Sequence, residues 1–238
     1  DSLVPDGPYA KGGHHFSNGA TWVEGVARAL ALAGNARPAL TNSGKAASNY
    51  AAGGARAAVA PGDDWVANCR FNLPAQVGAY LADFPQTSAH SLIAMEIGGN
   101  DVRDALVAAS RDQDPAPYVT RALASVGNSV GVLYASGARR FVLLNIPDPG
   151  VAPSVRLLGP GAVGGARALA TGYNDFMRYQ LVPALKVALP GSDIRIVDLY
   201  ALLNQIVASP GSYGLVNVTD ACVTPNQPPF HCTQPNSY

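Results

Sequence analysis

Four short apolar runs punctuate the chain, each closed by turn-forming or polar residues: 47–52 (ASNYAA), 91–97 (SLIAMEI), 140–146 (RFVLLNI) and 194–199 (IRIVDL). Runs of this length, rich in aliphatic side chains and bounded by turn signals, predict buried strands. Gly53-Gly54 follows the first, Gly98-Gly99 the second and Pro147-Asp148-Pro149-Gly150 the third, while a helical pattern follows Asp198 in the fourth. Between the runs the apolar spacing changes to that of a helix. Residues 21–33 place Trp22, Val23, Val26, Leu30 and Leu32 close to one stripe, and 74–84 do the same with Val77, Tyr80, Leu81 and Phe84. Residues 118–135 and 166–189 predict longer amphipathic helices, and 199–208 a short one. Strands alternating with helices imply βαβ units and a parallel sheet. In open sheets of this kind ligands sit beyond the carboxyl ends of the strands, so the Gly-rich turns are the places to seek chemistry.

The 238 residues predict one domain over 1–238, large enough to bury a substantial core. Charged residues make up 13%, against roughly 25% in an average globular chain. Lys plus Arg and Asp plus Glu number 16 each, so no net field draws the protein to nucleic acid or anionic lipid. No apolar stretch reaches the roughly 18 residues of a membrane-spanning helix. Asp1 is not preceded by a basic segment, so any export signal has been removed or lies outside the sequence. Of three cysteines, Cys222 and Cys232 flank a Pro-rich loop, TPNQPPFH, which predicts a disulfide and an oxidising compartment, secreted or periplasmic. His231 beside Cys232 lacks the paired spacing of a zinc site, and neither metal nor organic cofactor is expected.

Four motifs carry candidate chemistry. They are Asp1-Ser2-Leu3; HFSNGATWVE at 15–24; NYAAGGA at 49–55; and IGGND at 97–101. In their order and spacing they resemble the GDSL branch of the SGNH hydrolase superfamily, with similar residues again at FVLLNIPDPG (141–150), Tyr173-Asn174 and VTDAC (218–222). The resemblance implies an α/β fold, a three-layer α/β/α sandwich with a central parallel sheet, flavodoxin-like in arrangement. It also implies catalytic roles: Ser2 as nucleophile, and Gly54 and Asn100 as oxyanion donors, through a backbone N–H and a side-chain amide. Glycine suits the first role because it lets backbone approach a substrate closely and accepts positive φ. Donors aimed at charge that appears only in the transition state lower its barrier. Plainer readings stand beside these. Asn18 or Thr21, with Glu24, caps a helix; Gly53-Gly54 ends a strand; Asn100 caps the helix that follows it; and Asp148 belongs to a Pro-Asp-Pro-Gly turn.

The sequence departs from the family pattern in two places. The strand expected before Asp1 is not present, and no Asp-x-x-His follows Cys232, although the family takes its base and orienting carboxylate from that motif. His14 and His15 lie near Ser2 in sequence, His90 opens a strand, and His231 sits in the Cys loop; none has the expected spacing. The missing pieces are expected outside this sequence or on a second polypeptide fragment. The implied activity is cleavage of small-molecule or lipid carboxyl esters by a secreted esterase or lipase. Alternatives on the same fold are a non-catalytic lipid- or carbohydrate-binding protein and an acyltransferase using the same Ser. The segments 157–165 and 225–229 are candidate rims or lids, and equally plain surface connections.

Overall fold

The computed structural model describes residues 20–40, 47–58 and 71–222. They form two compact units, one built from Gly54–Asn204 and the other from the described residues up to Gly53 together with those from Gln205.

The larger unit holds a sheet of three parallel strands, β1 (Leu92–Glu96), β2 (Arg140–Leu144) and β3 (Asp193–Val197), in the order β1-β2-β3. Its register runs from Leu92↔Arg140↔Asp193 to Glu96↔Leu144↔Val197. Parallel neighbours cannot be joined by a hairpin, and the connections here are helical, as the alternating pattern predicts. Between β1 and β2 run α3 (Gly99–Ala109) and α4 (Ala116–Ala135). Between β2 and β3 run α5 (Pro153–Arg156), α6 (Pro160–Phe176) and α7 (Val182–Ala188). Before β1 lies α2 (Leu73–Asp83), and α8 (Leu199–Ala208) follows β3. No helix among the described residues is long and apolar enough to cross a membrane.

The pleat puts alternate residues on one face. Register aligns Ile93, Phe141 and Ile194 in one row and Met95, Leu143 and Ile196 in the next. This face belongs to a continuous core with Leu73 and Val77 of α2, Val102 of α3, Val126, Val130 and Leu133 of α4, Ala170 and Tyr173 of α6, and Val182 of α7. Phe141 and Tyr173 are almost wholly buried. Removing a buried aromatic ring from such a core costs about 3–5 kcal/mol.

Several sequence expectations differ from the structure, two of them along whole elements. Residues 47–52 make a single parallel bridge, Pro38↔Asn49, instead of a strand. The Asn49 amide explains this locally. Its oxygen accepts from Ala51 N at 3.1 Å and its nitrogen donates to Ala36 O at 3.3 Å, so the side chain competes with a ladder. The helix expected over 166–189 starts earlier, at Pro160, and is interrupted by a π-helical turn, Met177–Leu181. Pro183 lacks the N–H that would continue regular bonding at this point.

In the smaller unit, α1 (Trp22–Ala29) has Thr21 as its N-cap residue. The Glu24 carboxylate accepts from the Thr21 backbone N–H at 2.6 Å, the bond by which the third helical residue of a capping box reaches back to the cap, and also from the Thr21 hydroxyl at 2.8 Å.

Candidate active site

Beyond the carboxyl end of β1 the chain turns sharply into α3. Gly98 makes the turn with φ +110°, and a Cβ there would lie 2.6 Å from the Tyr173 hydroxyl oxygen. The Tyr173 hydroxyl donates to Ile97 O at 3.3 Å, so the residue before the turn is held from beneath. Burial pushes the Tyr173 phenol far above its ordinary range, with the charge on Asp101 adding to the effect, and the group acts as a neutral donor. Gly98 occupies the N-cap position, which places Asn100 inside the first helical turn. Asn100 is therefore not the cap. Its Nδ2 donates to Ala55 O at 2.8 Å, and the remaining hydrogen of the amide has no partner among the described residues.

The Ala55 carbonyl belongs to the loop that opens with Gly54. Gly54 is exposed and has φ +77°, a conformation natural to glycine. The residues after it are anchored on several sides. Ala57 N and Ala58 N donate to the Asp101 carboxylate at 2.8 and 3.1 Å. Arg56 pairs with Asp104 of α3 through its Nε and through a guanidinium nitrogen at 3.1 Å. Arg56 N donates to the Asn72 side-chain oxygen at 2.9 Å, and the Ser125 hydroxyl of α4 donates to Ala57 O at 2.6 Å. Ala55 and Ala57 are buried. Asp101 is buried too, and that burial raises its carboxyl above the ordinary value against the opposing pull of the Ala57 and Ala58 N–H groups.

The other strand ends carry polar groups that stitch the scaffold. After β2, the Asn145 side chain donates to Asp198 Oδ1 at 2.9 Å and accepts from Tyr200 N at 3.1 Å. Asn174 brackets the Ile146 backbone, accepting from its N–H at 2.9 Å and donating to its carbonyl at 2.8 Å. Asp148 accepts from Gly150 N at 2.8 Å and from Arg167 Nε at 3.0 Å, as a turn residue would.

Of the sequence-predicted site residues, the structure joins the Gly54 loop to Asn100. Ser2 lies outside the described residues, as do His14, His15 and His231. His90 is exposed and precedes β1, whereas Asn100 follows that strand, so the two occupy opposite ends of it. Sequence reasoning assigned no role to Asp101 or Tyr173. Both lie inside quoted motifs, but their partners are distant in the chain.

Comparison with known proteins agrees with the motif pattern. The family model described as GDSL-like Lipase/Acylhydrolase matches residues 1–234. A thermolabile hemolysin of Vibrio parahaemolyticus is 27% identical over 217 residues, covering 90% of this chain and 44% of the hemolysin. The GDSL esterase/lipase EXL3 of Arabidopsis thaliana is 29% identical over 154 residues, 61% of this chain and 41% of that protein. Lipase 1 of Photorhabdus luminescens is 32% identical over 117 residues, 49% of this chain and 17% of the lipase. The chain thus spans less than half the length of these curated relatives.

Proposed function

This chain belongs to the GDSL-like lipase/acylhydrolase family, and from that premise we propose that it cleaves carboxyl esters through an acyl-enzyme on Ser2. Ser2 Oγ attacks the ester carbonyl carbon and its proton passes to a general base. The carbonyl oxygen takes on negative charge and is held by the N–H groups of Gly54 and Ser2 and by the Asn100 side-chain amide. Collapse of the tetrahedral intermediate breaks the bond to the alcohol, which leaves with a proton from the base. Water then attacks the acyl-enzyme by the same route and releases the acid. In the family pattern the base is the His of an Asp-x-x-His, and these 238 residues contain no such motif.

The observation that carries the reading is the bond from Asn100 Nδ2 to Ala55 O, 2.8 Å long, next to Gly54. That bond ties the Asn100 amide, just past the carboxyl end of a parallel strand, to the residue that follows Gly54, and so supports a shared role for two segments far apart in sequence. Export into an oxidising compartment belongs to the same proposal, and the disulfide at Cys222 supports it.

The test uses purified full-length protein, p-nitrophenyl esters of short and medium acyl chains, and a fluorophosphonate probe. Hydrolysis is expected, with the probe attached to the peptide bearing Ser2. Changing Ser2 to Ala is expected to abolish both. A protein that turns over none of the esters and takes up no probe would overturn the proposal.

A further inference from the structure

We infer that Asp101 is a positioning residue for ester cleavage, clamping the 54–58 loop to α3 so that the Gly54 N–H and the Asn100 amide face one oxyanion. The inference rests on the reading proposed above and adds a residue to it. The two donors come from different elements, and donor sites of this kind work only when held within about 0.5 Å of their productive geometry. Something must therefore tie the loop to the helix, and the hydrogen bonds show what does. Consecutive residues of one helical turn grip one loop: Asn100 holds Ala55 O at 2.8 Å, while Asp101 holds Ala57 N at 2.8 Å and Ala58 N at 3.1 Å.

The chemistry of the clamp calls for a carboxylate. Two backbone N–H groups converge on Asp101, one on each oxygen. An Asn at this position has a single acceptor oxygen and would turn an NH₂ toward the second N–H. Burying a carboxylate is unfavourable unless its oxygens are satisfied, so a side chain kept here only to fill space would be apolar. The neighbouring Arg56–Asp104 pair is more exposed and holds the loop by flexible side chains alone, a weaker constraint than two bonds to backbone. On the far side, the Ser125 hydroxyl holds Ala57 O at 2.6 Å, so the peptides around Ala57 are fixed from both faces.

The experiment compares wild type, Asp101→Asn and Ser125→Ala in the full-length protein. It measures kcat and KM with a short-acyl p-nitrophenyl ester, normalised to sites titrated by fluorophosphonate. It also measures the affinity of a trifluoromethyl ketone, which forms a tetrahedral oxyanion adduct, and the melting temperature. Asp101→Asn is expected to lower kcat per titrated site on the order of 10²-fold, the effect of an angstrom-scale misplacement, and to hold KM within about twofold. Ketone affinity is expected to fall in parallel with kcat. Ser125→Ala, which keeps the carboxylate, should shift kcat and ketone affinity in the same direction by less, and it carries the test if Asp101→Asn does not fold. A lower melting temperature with kcat per titrated site and ketone affinity intact would overturn the inference and leave Asp101 structural. Absence of hydrolysis by the wild type would remove the underlying reading and the inference with it, an outcome distinct from an active Asp101→Asn variant.

Discussion

Gly98, at the turn into α3, and Gly54, at the opening of the loop it meets, look alike in sequence and differ in consequence. Gly98 has φ +110° and packs so closely on Tyr173 that an added Cβ would sit 2.6 Å from the hydroxyl oxygen and 2.7 Å from the ring carbon bearing it. The ring is fully buried and cannot move aside. Gly98→Ala is therefore expected to combine left-handed strain with overpacking, a loss of about 2–5 kcal/mol in urea unfolding. Gly54 has φ +77° but lies exposed, so Gly54→Ala should cost only the backbone strain, about 1–2 kcal/mol. Equal unfolding midpoints for the two variants would contradict this account. Asn100→Ala removes the proposed oxyanion donor, and kcat on a p-nitrophenyl ester should fall on the order of 10²–10³-fold with KM little changed. A KM effect alone would point to substrate binding instead. Asn100 was legible in sequence because a short motif contains it. Asp101 was not, because its partners stand 44 and 43 positions away and meet it only through the fold. The reading of Asn100 as a helix cap failed for a local reason: Gly98 takes that position with a backbone no other residue type adopts readily.

The elements were more legible than the contacts between them. Three of the four apolar runs form the sheet within a residue or two of their expected limits, since aliphatic side chains flanked by turns have few alternatives. Half of the run at 47–52 is alanine, which offers little surface to bury, and the run yields to the hydrogen bonds of Asn49. The run at 194–199 ends earlier than expected because Asp198 leaves the strand to start α8. Its Oδ1 accepts from Ala201 N at 3.0 Å, as an N-cap does, and from Asn145 Nδ2 at 2.9 Å, while its Oδ2 accepts from the Arg178 guanidinium. Burial pushes the Asp198 carboxyl up, but these donors outweigh it and hold the group below its ordinary value. A carboxyl lowered in the folded state stabilises the protein fully above its unfolded value and loses that stabilisation as pH falls through the lower folded value. Asp198→Ala should thus cost about 1 kcal/mol near neutral pH, the usual worth of a cap. The ionic part is diminished by solvent, since the side chain is 35% exposed. The difference from wild type, followed by urea unfolding across pH, should shrink below pH 3.8. A difference that grew on acidification would refute the sign.

For the molecule as a whole, the family is built on a three-layer α/β/α sandwich, and the parallel β1-β2-β3 sheet is its central layer. All three strands point the same way, so the turns that follow them gather at one end: Gly98 to Asn100, Asn145 to Asp148, and Asp198. That gathering follows from topology and was predictable from alternating strands and helices. The covalent frame is the part that sequence constrains least, because connectivity cannot be read from spacing alone. Cys222 is engaged in a disulfide, and both other cysteines, Cys69 and Cys232, lie outside the described residues. The short Pro-rich stretch between Cys222 and Cys232 argues for that pair, since closing a short loop costs less chain entropy than closing a long one and short loops pinned by a disulfide are common in oxidising compartments. A bridge over so short a loop contributes about 3 kcal/mol by removing freedom from the unfolded chain. Proteolysis without reductant, followed by mass analysis, should therefore yield one linked peptide joining Cys222 to Cys232, with Cys69 available to alkylation. Reduction should lower the urea midpoint accordingly. A peptide linking Cys222 to Cys69 would reject the pairing, and it would mean that the bridge closes a loop of more than half the chain and constrains the unfolded state more strongly than the short one does.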